Sequence, residues 1–168
     1  MATQAMSGAL APAAVATRVL AYILDVIVLG FVSVILVNAV YSDTTAVGNV
    51  VRAVLFALLS FGYFGYSWTA WRASPGQRLF GLVTVNAADG ATLTWNQAGM
   101  RWAYLFGPGV VAQLFGSTTG AIGGLSGLVG LLAFLYLIYL LWTTAQDPRH
   151  QGFHDKQSNT LVAMKSAA

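Results

Sequence analysis

A bilayer-crossing helix is predicted by the apolar stretch VLAYILDVIVLGFVSVILVNAVY, residues Val19–Tyr41. A helix needs about 20 residues to cross roughly 30 Å of hydrocarbon at 1.5 Å per residue. Asp25 carries the only charge within this stretch. A carboxylate in hydrocarbon costs roughly 2.5–3.5 kcal/mol on insertion scales, so we expect neighbouring groups to compensate for it. Asp25 is therefore the first candidate functional residue.

The composition indicates an integral membrane protein. Only 8% of the 168 residues are charged and the mean hydropathy is +0.69, whereas soluble domains carry about 25% charged residues. The length predicts one membrane domain without a separate soluble one. The absence of cysteine excludes disulfides, iron–sulfur clusters and thiol catalysis. The small net charge of +3 reflects where the cations lie along the chain and does not indicate a nucleic-acid partner.

Four membrane spans are predicted, at about residues 19–41, 53–71, 103–122 and 125–144. The last two result from dividing the apolar stretch Trp102–Thr144 at its centre, which is rich in glycine and serine. With four spans, every Lys and Arg except Arg52 falls on one side of the membrane, which the positive-inside rule assigns to the cytoplasm. The alternative has three spans, with residues Trp102–Ile122 lying at the interface.

The polar segments are predicted to form a small cytoplasmic layer. Residues 1–17 are interpreted as a mobile tail, residues 18–162 as the membrane domain and residues 163–168 as a second tail. In the loop 72–101, Asp89-Gly90 separates two β-prone arms, and Asp-Gly is typical of a two-residue hairpin turn. Asn96 is expected to cap the following helix. The fold class is thus an all-α membrane protein with four transmembrane helices and a short cytoplasmic β-hairpin between the second and third.

Helix geometry argues against the nearest cation as the partner of Asp25. Arg18 precedes it by seven residues, a separation of roughly 10 Å along the axis. Helical side chains also lean toward the N-terminus, so Arg18 is expected to point away from Asp25. We expect Arg101, at the start of the third span, to be the partner, with Arg78 as the second choice.

Short motifs in a fixed order resemble those of the RDD family of small bacterial membrane proteins, which is named for one Arg and two Asp. The first helix reads Arg18-Val-Leu-Ala-Tyr-Ile-Leu-Asp25, similar to the family pattern at Arg, Ala and Asp. The later matches are Pro75-Gly-Gln-Arg-Leu-Phe-Gly81, Leu82-Val-Thr-Val85, Asp89-Gly90, Arg101 and His154-Asp155-Lys-Gln-Ser-Asn-Thr160-Leu-Val162. The resemblance covers the chain from Arg18 to Val162.

The resemblance implies which residues matter. Arg18, Asp25 and Asp155 would be the naming residues, and with Arg101 they would form a charged network or an ion site. The supporting positions would be Gly76, Arg78, Gly81, His154 and Thr160. The resemblance also implies a multi-pass protein of the bacterial inner membrane, and we expect both termini to be cytoplasmic. Some members of the family are associated with cation/proton exchange.

Two functions follow from these residues. The first is a non-enzymatic accessory or assembly module, whose Arg/Asp network fixes its shape and whose helix faces bind a second copy or another membrane protein. The alternative is a small oligomeric cation/proton exchanger with Asp25 at the exchange site. The first is slightly favoured, because four short helices enclose little volume. No catalytic residue, cofactor or metal site is predicted, since the sequence has no nucleophile elbow or phosphate-binding loop and Pro148 and Gly152 interrupt the segment that holds His150 and His154.

Overall fold

The structure is a computed structural model that describes residues 10–40, 45–116 and 124–165. These residues form long helices and a small layer of short elements. The elements, in chain order, are α1 (Val15–Val40), α2 (Ala46–Ala70), α3 (Pro75–Leu79), β1 (Leu82–Asn86), α4 (Trp95–Gly116), α5 (Ser126–Gln146), α6 (Phe153–Gln157) and β2 (Thr160–Met164).

Three of the described helices are long and apolar enough to cross a membrane: Val15–Val37 in α1, Ala46–Ala70 and Ser126–Gln146. Their surfaces are rich in exposed leucine, valine and isoleucine, as expected of helices that face lipid. Helix α4 has 22 residues but is less apolar than these three, and it packs against both α2 and α5. Three candidate spans are therefore found among the described residues, and α4 is not one of them.

The small sheet differs from the predicted hairpin. Strand β1 pairs antiparallel with β2, from Leu82 opposite Met164 to Asn86 opposite Thr160. The Asp89-Gly90 turn is followed by coil that leads to α4, so the predicted pairing across this turn is wrong. The reason is apolar burial, because β2 supplies three consecutive buried residues, Leu161, Val162 and Ala163.

The N-terminal segment is part of the same layer. Residues 1–9, which fall in the predicted mobile tail, lie outside the described residues. Pro12 bridges to Ala163 on the edge of β2 opposite β1, and the N–H of Ala13 donates to the carbonyl of Val162 at 3.0 Å. Helix α1 then begins at Val15. The described part of the predicted tail is therefore ordered, and the predicted second tail contributes Ala163 and Met164 to β2.

The starts of α2 and α4 are set by capping residues and not by the onset of apolar sequence. Thr45 caps α2, its hydroxyl accepting from the N–H of Gly48 at 3.1 Å, so α2 begins seven residues before its predicted start at 53. Thr94 caps α4, accepting from the N–H of Gln97 at 3.2 Å, and the prediction of Asn96 as the cap is wrong. The predicted turn between the last two spans lies largely in residues 117–123, outside the described residues.

All four long helices bring one end to the same layer, here called the cap, which consists of α3, β1, β2 and α6. The start of α1 reaches it through Arg18, which contacts Asp155 of α6. The start of α4 reaches it through Arg101, and the end of α5 through Thr143, whose hydroxyl accepts from the N–H of Phe153 at 3.1 Å. The end of α2 leads through a short connection into α3, whose N-cap is Ser74. The charged residues predicted to form a network therefore lie at one end of the bundle.

Candidate functional site: two buried carboxylates beneath the cap

Asp155 is held by two guanidinium groups. Its side chain is fully buried, Arg101 donates to Oδ1 and Arg18 to Oδ2. Arg101 also donates to the hydroxyl of Thr160 at 2.6 Å, and Arg18 donates to the carbonyl of His150. The N–H of Gly152 donates to Oδ2 at 3.0 Å. This network joins α1, α4 and the C-terminal segment.

Electrostatics keep Asp155 ionised and its neighbour His154 neutral. Burial alone would raise the pKa of Asp155, but the Arg101 and Arg18 guanidiniums hold the pKa of this carboxyl well below its usual range. Burial, together with the same two arginines, lowers the pKa of His154 to about 3, although Asp155 opposes this shift. The Nε2 atom of His154 lies 3.4 Å from Oδ2 of Asp155. At neutral pH the network therefore contains two positive charges and one negative charge.

Asp25 has a different environment. Its Oδ1 accepts from the Tyr63 hydroxyl at 2.9 Å and from the Gly76 N–H at 2.7 Å, and the Ser74 hydroxyl donates to Oδ2. The side chain is 1% exposed, and among residues 10–40, 45–116 and 124–165 no Lys, Arg or His forms an ion pair with it. Asp25 is thus a buried carboxylate that accepts hydrogen bonds from neutral protein donors.

Both predicted partners of Asp25 lie elsewhere. Arg101 pairs with Asp155, so the prediction of an Asp25–Arg101 pair is wrong. The Arg78 guanidinium lies 5.1 Å from the centre of the Trp71 ring, which is a cation–π distance. The physical reason is that α3 places its N-terminal backbone against Asp25, so that a peptide N–H and a hydroxyl take the place of the expected cation.

The sequence Ser74-Pro-Gly-Gln77 builds this contact. Ser74 and Gln77 form a capping box, with the Gln77 Oε1 accepting from the Ser74 N–H at 2.9 Å, and Pro75 occupies the first helical position, where its missing N–H costs nothing. A Cβ at Gly76 would overlap the carbonyl oxygen of Ala21 and lie 2.8 Å from the Cγ of Asp25. Glycine at this position is therefore required by the close approach of α3 to α1.

Two residues of the Asp25 environment, Tyr63 and Ser74, were not among the predicted site residues. The Ser-x-x-Gln pattern at Ser74 is a recognisable capping box and is a local signal for a helix start. Tyr63 has no such signal, because its position beside Asp25 depends on how α1 packs against α2. Of the predicted supporting residues, Gly81 has a left-handed φ of 65° between α3 and β1, a conformation that favours glycine.

A cavity of about 300 Å³ lies beneath the cap, lined by residues of α1, α2, α4 and α5. Its polar lining includes Arg18, Asp25, Ser74, Gln77, Arg101 and His154. A second cavity of about 260 Å³ shares Tyr22, Leu105 and Leu137 with the first and includes Gln113. Gln113 is about 18 Å from Arg101 along α4 at 1.5 Å per residue. The two cavities are therefore neighbours that share lining residues, with Asp25 in the first and Gln113 in the second.

The imidazoles of the two histidines do not share a helix face. His150 precedes α6 and has a left-handed φ of 52°, whereas His154 lies within α6. In the part of the chain that the structure describes, no group of three His, Cys, Asp or Glu residues is placed to hold a metal ion.

Fold and site together define a multi-pass membrane protein in which a cap of short elements buries two aspartates at one end of a helix bundle. A model of the RDD family matches residues 12–159. The chain belongs to the RDD family. Searches of curated proteins and of solved structures found no match to the chain.

Proposed function

We propose that this chain is a small bacterial inner-membrane protein that exchanges protons for a cation, with Asp25 as the site at which the two compete. The observation that carries the proposal is the environment of Asp25: it is buried, it has no cationic partner among the described residues, and it lines a cavity. Ionisable residues inside membrane proteins commonly mark ion pathways and proton relays.

The donors around Asp25 suit a reversible charge. The hydroxyls of Tyr63 and Ser74 donate to the carboxylate, and a hydroxyl can rotate to accept a hydrogen bond when the carboxyl group is protonated. An arginine has no acceptor, so it stabilises only the ionised form. When a cation binds, the proton leaves Asp25 and the carboxylate and hydroxyl oxygens face the cation. Proton and cation then exclude each other at one carboxylate, which is the requirement for exchange.

The adjoining cavities supply space for a pathway inside one protomer. The first contains Asp25 and the second contains Gln113, and Tyr22, Leu105 and Leu137 line both. The sequence suggested that such a pathway would be cramped. The two cavities, of about 300 and 260 Å³, shift the balance toward exchange.

The proposal includes an orientation. Helices α4 and α5 both meet the cap, α4 with its first turns and α5 with its last, so they are antiparallel, and we propose that α4 completes a four-helix membrane domain. Both described ends of the chain then lie on the cap side. The cap side also holds the cations Arg72, Arg78, Arg149, Lys156 and Lys165, so the positive-inside rule makes it cytoplasmic.

The second candidate is the accessory or assembly module. It is favoured by the Arg18–Asp155–Arg101 network, which ties α1 and α4 to the C-terminal segment through a buried carboxyl whose pKa is held well below its usual range. Such a fixed cap would present the exposed apolar faces of α1 and α5 to a second copy or to another membrane protein.

Proton flux separates the two candidates. The purified chain is reconstituted in liposomes that contain a pH-sensitive dye, and a sodium or potassium gradient is imposed. We expect cation-dependent proton movement by the wild-type protein and its loss in Asp25→Asn. Asp89→Asn is the matched control, because Asp89 is an exposed carboxylate in the loop after β1 that accepts a local N–H, from Ala91 at 2.9 Å. Absence of flux in correctly folded wild-type protein with either cation would overturn exchange and leave the accessory module.

A further inference from the structure

Two buried donors line the cavity beneath the cap without an acceptor. The indole N–H of Trp68 and the Nε–H of Arg101 have no hydrogen-bond partner among the described residues, and these side chains are 2% and 3% exposed. The Arg101 guanidinium lies 5.1 Å from the Trp68 ring centre, so the two donors belong to one corner of the cavity. Buried donors in native proteins nearly always have a partner, so this corner is built to receive an acceptor oxygen.

One side of the cavity is apolar and reaches the outer surface of the bundle. Val15, Val19 and Ile23 of α1 and Leu137 and Leu141 of α5 line it. Ile23 is 47% exposed and Leu141 is 43% exposed, so these two side chains form a rim on the outer surface of the bundle. Helix α1 packs mainly on α2 and α3, while α5 packs mainly on α4 and α6. The cavity is thus accessible from the hydrocarbon between α1 and α5.

The charges around the cavity do not require an anionic ligand. Arg18 and Arg101 are both paired with Asp155, so neither guanidinium lacks a carboxylate. The two donors lack an acceptor oxygen among the described residues. The apolar side of the cavity suits a hydrocarbon chain attached to that oxygen. A volume of about 300 Å³ lies at the lower end of the range for ligand sites.

We propose that this cavity binds one membrane lipid, with an acyl chain entering between α1 and α5 and the ester or phosphate oxygens of the glycerol head accepting from Trp68 and Arg101. The polar head then lies at the level of the cap and the chain along α1 and α5, as the polarity of the lining requires. The site goes beyond proton and cation exchange and does not depend on the titration of Asp25.

Native mass spectrometry of the detergent-purified chain, titrated with dioleoylphosphatidylglycerol and separately with dioleoylglycerol, tests the proposal. We expect one bound lipid per wild-type chain. Leu141→Trp fills the rim and should weaken binding about tenfold or more. Leu135→Trp is the matched control, because Leu135 is 49% exposed on the same helix and lies outside the cavity lining. Trp68→Phe removes one donor and should weaken binding roughly three- to tenfold.

Binding of dioleoylglycerol as well as the phospholipid would assign the acceptor to the ester oxygens, and binding of the phospholipid alone would assign it to the phosphate. Equal occupancy in Leu141→Trp and Leu135→Trp would overturn the proposal, since water would then satisfy the two donors. Displacement of lipid by inorganic phosphate alone would also overturn it, in favour of an anion site. If Leu141→Trp fails to fold, Ile23→Trp on the facing helix replaces it, with the exposed Ile27→Trp as its control.

Failure of this test is distinguishable from failure of the exchange proposal. Asp25→Asn should abolish flux, which tests exchange, whereas Trp68→Phe should lower lipid occupancy, which tests the lipid site. A lipid site without any flux supports the present inference alone. Loss of lipid in Asp25→Asn and not in Trp68→Phe would overturn it.

Discussion

Asp155 and Asp25 are both buried carboxylates at the cap, but they are stabilised by different groups. Asp155 receives two guanidiniums, one on each oxygen. Asp25 receives two hydroxyls and one peptide N–H. A guanidinium carries a permanent full charge, whereas hydroxyls and peptide groups are dipoles. The comparison shows that one carboxylate is bound to full charges and the other to neutral dipoles.

This difference predicts separate roles for the two carboxylates. The Asp155 cluster joins segments distant in sequence, since Arg18 and Asp155 are 137 residues apart. Asp25 joins α1 to α2 and α3, and it lines the cavity through which we propose that ions and protons move. Removal of the first carboxylate should chiefly change stability, and removal of the second should chiefly change transport.

The largest expected effect is on stability in Asp155→Asn. The substitution leaves Arg18 and Arg101 buried without a negative partner, and breaking a buried pair in this way costs about 3–5 kcal/mol. Thermal unfolding in detergent should show a large fall in the midpoint, or the protein should fail to accumulate. The exposed Asp89→Asn serves as the control. A midpoint within about 2 °C of wild type would show that the cap does not depend on this pair.

Gly76→Ala should produce the next largest effect, at the Asp25 side of the comparison. The new Cβ would overlap the Ala21 carbonyl oxygen and crowd the Asp25 carboxylate, so α3 must move and its N–H bond to Asp25 lengthens. Overpacking and a weakened bond to a charged group together cost about 3 kcal/mol. Thermal unfolding measures the loss, with Gly62→Ala as the control, since a Cβ there meets nothing within 4 Å. Equal midpoints for the two variants would contradict the close approach of α3.

Membrane spans could be predicted because hydropathy reflects a local property. The apolar patterns located α1, α2 and α5, which are the three candidate spans within the described part of the chain. Helix α4 was predicted from the same apolar stretch as α5, Trp102–Thr144. Its hydropathy is lowered by Gly107, Pro108 and Gln113. Its place in the bundle comes from packing against α2 and α5, which sequence periodicity does not report.

Pairings between distant segments could not be predicted in the same way. The Asp89-Gly90 turn is a local signal, but β1 gains more apolar burial by pairing with β2, more than 70 residues later. The same strand pairing places Asp155 beside Arg101, so Arg101 pairs with Asp155 and not with Asp25. The sequence therefore indicates which charged residues matter, whereas their partners depend on which strand pairs with β1.

The stability of the cap should also depend on pH through His154. Its pKa is lowered to about 3 by burial, whereas an unfolded histidine titrates near 6.5. Between these values the unfolded chain binds a proton that the folded chain does not, so stability falls as the pH falls. From pH 7 to pH 5 the expected loss is about 2 kcal/mol.

Unfolding midpoints at pH 7 and pH 5 measure this loss, and His154→Gln should remove most of the difference between them. Asp147→Asn is the control, because it changes another carboxylate of the C-terminal segment and leaves His154 in place. A hydrogen bond from Lys156, whose ammonium lies 2.5 Å from the carboxylate, lowers the pKa of Asp147, so that group titrates below this window. An unchanged pH dependence in His154→Gln would contradict a neutral, buried His154.

Tyr63→Phe should have the smallest effect on stability. It removes one neutral donor from Asp25 and leaves Gly76 and Ser74 in place, so the expected loss of stability is about 1 kcal/mol. Because Asp25 keeps its carboxylate, proton flux should persist with a changed pH profile, whereas Asp25→Asn should abolish it. Tyr66→Phe, at an exposed position of α2, is the control. A loss as large as that of Asp155→Asn would place Asp25 with the fixed charges of the cap, because only a carboxylate locked into the structure would respond so strongly to one missing hydroxyl.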